Sequence, residues 1–77
     1  MAQVRFFAAA EEAVGSPQLT VDATTLQALT ASLSDEHPAL AEILPRCSVL
    51  VDGVRVDGSW PLPGDAVVDV LPPFAGG

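Results

Sequence analysis

The sequence predicts an α+β fold of two layers, a small sheet with helix on one face. Three observations lead there. Short apolar runs with period-2 alternation lie at both ends of the chain. Between them Leu26, Leu29 and Leu33 recur at the spacing of one helical face. Asp52-Gly53, set between valine-rich runs, is a strong two-residue hairpin signal. A single main helix can cover only one side of such a sheet.

The elements follow in order. Val4-Arg5-Phe6-Phe7-Ala8 reads as a first strand, with Val4 and Phe6 on one side and Arg5 and Phe7 on the other. Glu11 to Gly15 reads as a short helical turn or loop closed by glycine. Gln18 to Val21 alternates again and is a second strand. Thr24 and Gln27 form a T-x-x-Q pattern, which places the main helix cap at Thr24. His37 precedes a proline and is pushed out of the α region, so the helix stops by Glu36. Pro38 suits the first position of a second, short helix, which turns Leu40, Ile43 and Leu44 inward and ends before Pro45.

Ser48 to Val51 is the next strand, and Val54 to Val56 its return across the turn. Pro61 to Asp65 is a turn-rich loop. Val67 to Leu71 is the last strand, stopped by Pro72-Pro73 because proline cannot supply ladder hydrogen bonds. If the first and last strands are neighbours, the long crossover between them makes them parallel. Val4, Leu26, Leu29, Leu33, Val49 and Val51 are the expected core. Trp60, beside prolines, is expected to pack under its loop.

Composition narrows the function. The 77 residues make one domain, and about 60% of the unfolded surface is all that such a chain buries. That leaves little room for an enclosed active site. Ten acidic residues against three arginines give a net charge of −7. Such a chain repels phosphate backbones and anionic lipid, so neither nucleic acid nor membrane is an expected partner. A basic protein partner would be attracted. Cys47 is the only cysteine, so no internal disulfide forms, and it reads as a small core residue. The expected location is the cytoplasm. With one histidine and no ligand spacing, no metal site is expected. No nucleophile–base pair, phosphate loop or dinucleotide glycine motif stands out.

The last six residues are the remaining candidate for chemistry. The sequence closes on Pro72-Pro73-Phe74-Ala75-Gly76-Gly77. The expected organisation is a domain over residues 1–71 and a projecting tail over 72–77. Extended, the tail spans about 20 Å. Two prolines favour a stiff start, and two glycines give a thin tip without side chains. That tip could enter a narrow pocket where the Gly77 carboxylate is activated, for example by adenylation. An acyl-adenylate is a good electrophile; sulfide attack on it yields a thiocarboxylate, and persulfide attack does so after a thiol cleaves the acyl disulfide that forms. Gly76 supplies clearance in the pocket. The chain contains no lysine, so no second copy can accept Gly77 through a side-chain amine.

Four segments together resemble a known family. They are Val4-Arg5-Phe6-Phe7-Ala8 with Glu12-Ala13-Val14-Gly15, Val51-Asp52-Gly53-Val54, Pro61-Leu62 with Gly64-Asp65, and Leu71-Pro72-Pro73-Phe74-Ala75-Gly76-Gly77. They resemble the MoaD/ThiS family of ubiquitin-like sulfur carriers over essentially the whole chain. The Pro-Pro-x-x-Gly-Gly ending is most similar to the branch that supplies the small subunit of molybdopterin synthase. The resemblance implies a β-grasp fold: a mixed sheet of four to five strands, with one main helix and a short helix on one face.

The resemblance also implies partners and roles. A ubiquitin-activating-type enzyme (MoeB-like) would adenylate Gly77 using ATP and magnesium, and a sulfur donor would make the thiocarboxylate. The large subunit of molybdopterin synthase (MoaE-like) would admit Pro72, Pro73, Phe74, Ala75 and Gly76 into its channel. It would carry the active site and pass the sulfur to cyclic pyranopterin monophosphate. The chain itself would bind no cofactor and supply no catalytic side chain. Phe7 and Leu71 either form an apolar docking face or close the core. Arg55 is expected on that same face, solvated or available to a partner carboxylate. Other readings are a carrier for thiamin or cysteine synthesis, a protein modifier ligated to lysine, or a plain interaction domain.

Overall fold

The computed structural model of the protein describes residues 1–73. Its elements are β1 (Ala2–Phe6), α1 (Ala9–Val14), β2 (Gln18–Val21), α2 (Leu26–Glu36), α3 (Pro38–Ile43), β3 (Ser48–Val51), β4 (Val54–Arg55) and β5 (Val67–Leu71). The five strands form one mixed sheet in the order β2-β1-β5-β3-β4. β1 and β5 run parallel at its centre, and every other pair is antiparallel. This is the β-grasp arrangement, with the crossover between β1 and β5 carrying the helices.

Alternation along each strand sorts the side chains into two layers. Ala2, Val4 and Phe6 of β1 and Val68 and Val70 of β5 are buried under the helices. Leu29, Leu33 and Leu40 are fully enclosed from the helical side. Ala10, Leu26, Val51, Leu62 and Ala66 complete the core, and Val49, Ile43, Leu44 and Cys47 pack half-buried against it. Deleting the side chain beyond Cβ at a site as enclosed as Leu29 costs about 2–5 kcal/mol.

Three boundaries depart from the sequence reading. The first strand is Ala2–Phe6 and stops before Phe7. Ala8 turns the chain there with φ 51° and ψ −124°, and α1 starts at Ala9. The cap of α2 is Thr25, whose hydroxyl accepts a hydrogen bond from the Ala28 N–H at 3.2 Å. Thr24 instead uses its carbonyl to hold the 60s loop, accepting from the Leu62 N–H at 2.9 Å. The return strand β4 is Val54–Arg55 and stops short of Val56, while α3 ends at Ile43, before Pro45 as expected, and is followed by a 3-10 turn over Leu44–Arg46. The expected glycine stops hold. Gly15 closes α1 in the left-handed region at φ 84°, and Asp52 and Gly53 at φ 49° and 85° form the tight hairpin turn.

Candidate functional site: an open sheet face at the root of the tail

β5 is the strand from which the C-terminal segment leaves, and it lies between β1 and β3. The registers put Phe7, Leu71 and Ser48 around its C-terminal end: Phe6 is opposite Val70, and Ser48 is opposite Leu71. The N–H of Phe7 donates to the Val70 carbonyl at 3.3 Å. Pro72 is buried and Pro73 exposed. The packed body therefore reaches one residue further than the boundary expected after residue 71. Phe74, Ala75, Gly76 and Gly77, which carry the sequence-based site, lie outside the described residues.

The sheet face turned away from the helices is the surface that surrounds this exit. Its parity is set by the buried series Val68 and Val70, which leaves Val67, Asp69 and Leu71 on the other side. Phe7 is 38% exposed and Leu71 half-buried, and both belong to this open face. The alternative that they close the core is thereby removed. Leu50 pairs with Asp69 on one side and Arg55 on the other, so Arg55 falls on the same face, and it is exposed.

Sequence reading missed the ordered polar centre of this face. Arg5 and Asp69 are opposite one another across the parallel pair. The guanidinium donates twice to the carboxylate, Nε to Oδ1 at 2.6 Å and Nη2 to Oδ2 at 2.8 Å. The Phe7 ring lies beside the same guanidinium, 5.9 Å from centroid to carbon. The hydrogen bonds to Asp69, and then its charge, raise the Arg5 pKa further above its already high value. A fork-to-fork pair holds both planes fixed. The only signal in sequence was an arginine and an aspartate, each between apolar residues of its strand.

The charge distribution over the fold is uneven. Of the ten acidic residues only Asp69 falls on this strand face, where Arg5 and Arg55 also lie. The face is thus free of the negative excess that covers the rest of the molecule. Around its polar centre Phe7, Leu50, Val67 and Leu71 offer apolar surface. An apolar surface with few, paired charges suits protein docking.

Cys47 is half-buried beside the 3-10 turn, and its thiol donates to the Ile43 carbonyl at 3.3 Å. Burial pushes its pKa up, which disfavours the thiolate and hence nucleophilic attack at neutral pH. Among the described residues no three His, Cys, Asp or Glu side chains are placed to share a metal ion, and no helix is long and apolar enough to cross a membrane.

Comparison with known proteins places this architecture. The ThiS family's sequence profile matches residues 4–77. Among solved structures, a chain in the Helicobacter pylori complex of molybdopterin-converting factor subunits 1 and 2 is 30% identical. That match covers 99% of this chain and 97% of that one, with a TM-score of 0.75. Small archaeal modifier protein 1 of Methanosarcina acetivorans superposes with a TM-score of 0.87 at 24% identity, over 99% of this chain and 95% of that one. SAMP1 of Haloferax volcanii gives 0.86 at 23% identity, over 99% and 98%. These last two share the fold. No curated protein matches the chain significantly. With its profile matched from the first strand to the last residue, the chain belongs to the ThiS family of ubiquitin-like sulfur carriers.

Proposed function

We propose that the protein is the sulfur-carrier small subunit of a molybdopterin synthase. The observation that carries this reading is the 30% identity, over nearly the full length of both chains, to a component of the H. pylori molybdopterin-converting factor. The Pro-Pro-x-x-Gly-Gly ending supports it, as does a face with little net charge around the tail root. In this reading a ubiquitin-activating-type enzyme binds the open face and receives the tail. The Gly77 carboxylate attacks the α-phosphorus of magnesium-bound ATP and releases pyrophosphate. A sulfide equivalent from a sulfur donor then displaces AMP, leaving the thiocarboxylate. The charged tail next enters the large synthase subunit, with the same face docked against it. There its sulfur bonds to cyclic pyranopterin monophosphate, and water then cleaves the acyl–sulfur bond, so that the tail returns as the carboxylate.

This chain's share of the work is positional. β5 is hydrogen-bonded on both sides, so the tail root is fixed relative to Phe7, Leu71 and Arg55. A docked face therefore delivers Gly77 to a set depth. Pro73, Phe74 and Ala75 line the partner's channel, and Gly76 clears its narrowest part.

The test is incubation with the activating enzyme, ATP, magnesium and a sulfur donor. Mass spectrometry is expected to show one oxygen replaced by sulfur at Gly77. If an enzyme proven active on another carrier leaves this chain unchanged, the carrier reading is wrong. The pathway is tested separately, by rescue of a strain lacking the small subunit of molybdopterin synthase. Rescue of a thiamin-requiring strain alone would reassign the carrier.

A further inference from the structure

Among the described residues two aromatic side chains stand exposed, Trp60 at 46% and Phe7 at 38%. The expectation that Trp60 packs under its loop is overturned, because that loop is held by its backbone. The Trp60 carbonyl accepts from the Leu26 N–H at 2.8 Å, and the Leu62 N–H donates to the Thr24 carbonyl. Leu62 supplies the buried side chain, and the indole is left in solvent. Phe7 differs, because its ring flanks a guanidinium that is itself locked to Asp69.

The Arg5–Asp69 pair sits in the middle of a row that crosses all five strands: Gln18, Arg5, Asp69, Leu50 and Arg55. Folding alone gives little reason for it. The Arg5 side chain is 49% exposed and that of Asp69 13%, and a pair so open to water contributes little to stability. Phe7 and Leu71 lie two residues beyond Arg5 and Asp69, about 7 Å along the strands. A partner that docks around the tail root therefore covers the pair as well. Once water is removed, a charge without its counter-ion becomes costly, so the two residues matter together in the docked state.

The geometry also selects what covers them. A guanidinium has five N–H donors, and two of these go to Asp69. The other three, both on Nη1 and one on Nη2, remain for a partner. Covered without an acceptor, they would be left unpaired. A partner cation is repelled by Arg5. A partner carboxylate competes with Asp69 for Arg5 and leaves a net negative charge enclosed in the interface. An uncharged acceptor, a backbone carbonyl or a side-chain amide, satisfies the donors and leaves the pair intact. We propose that Arg5 and Asp69 are specificity-determining residues of the open face, selecting an activating enzyme that sets an uncharged hydrogen-bond acceptor over the Arg5 guanidinium. This inference rests on the sulfur-carrier reading and names the chemistry of the surface that its partner presents.

The measurement is sulfur acceptance by the full chain with the activating enzyme, ATP, magnesium and sulfide, with the chain's concentration varied to separate KM from kcat. Asp69→Asn keeps an acceptor for Arg5 and removes only the negative charge. Its KM is expected to rise about tenfold or more, with kcat within about twofold because Gly77 is untouched. Arg5→Met should raise KM similarly. Arg5→Met/Asp69→Val leaves neither charge behind and should dock better than Arg5→Met alone. All three variants should melt close to the unaltered chain. A fall in KM for Asp69→Asn would reveal a partner carboxylate over Arg5 and overturn the proposal. So would a double variant no better than Arg5→Met, or a rise in KM matched by a sharp loss of melting temperature, which would make the pair structural. If the unaltered chain accepts no sulfur, the carrier reading fails and this inference falls with it. If that chain is charged and the variants match its KM, this inference alone fails.

Discussion

Two single residues carry chemistry that the surrounding structure decides. Cys47 has a thiol that burial holds protonated. Its alkylation by iodoacetamide at mildly alkaline pH is expected to be slower in the folded chain than in the chain unfolded by urea. Because the folded value is raised, the folded state binds the thiol proton more tightly. The stability this contributes is complete below the ordinary thiol value of 9.0 and is lost as pH rises through the folded value. Cys47→Ser should therefore flatten the alkaline limb of stability against pH. An unchanged limb would show that the thiol is not linked to folding. Ala8 is the second case. Its φ of 51° with ψ −124° is glycine territory, at the turn that brings Phe7 beside the tail root. Ala8→Gly relieves strain of about 1–2 kcal/mol and costs about 0.5–1 kcal/mol in backbone entropy. A small rise in the urea midpoint with an unchanged slope is expected, and a fall would show that the turn is unstrained.

At the scale of elements, α2 tests how local sequence becomes structure. Thr24 and Thr25 are adjacent and chemically equal, and T-x-x-Q favoured Thr24. The structure caps with Thr25 because Thr24 is committed through its carbonyl to Leu62 and Thr25 bridges Pro61. A tertiary contact with a loop 36 or more residues away decided the local choice. Thr25→Ala is expected to cost about 1 kcal/mol and Thr24→Ala much less, read from denaturant midpoints. Equal losses would mean that the cap is shared. The same distinction explains what sequence could show. The leucine face of α2, the Asp52-Gly53 turn and the succession of strands and helices along the chain were legible because each depends on neighbours in sequence. The β1 boundary was not, since Phe7 and Ala8 prolong the apolar run and nothing local signals Ala8's positive φ. The Arg5–Asp69 pair, 64 residues apart, depends on the parallel register of β1 with β5. That register is a property of the assembled sheet. Trp60 was misplaced for the converse reason, because its loop is fixed by backbone bonds that no side-chain pattern announces.

For the whole molecule the question is where the folded body ends and the delivered segment begins. The central position of β5 joins the two, because the strand that closes the core also aims the tail. Composition divides them, because the body from Ala2 to Pro72 carries the buried apolar surface and the reading of function falls on Gly77. Two truncations separate these roles. A chain ending at Pro73 keeps every buried residue of the described structure, so its melting temperature should match that of the full chain, and sulfur acceptance should be lost. A chain ending at Leu71 also loses buried Pro72 and uncovers what it packs on. Its stability should fall by about 1–2 kcal/mol, which for a domain of this size is a drop of several degrees. If both truncations melt like the full chain, Pro72 is part of the delivered segment and the domain boundary returns to Leu71. If the Pro73 chain already melts lower, residues beyond Pro73 contribute to the fold, and the tail cannot enter a partner's channel without a cost that the carrier cycle would have to repay twice.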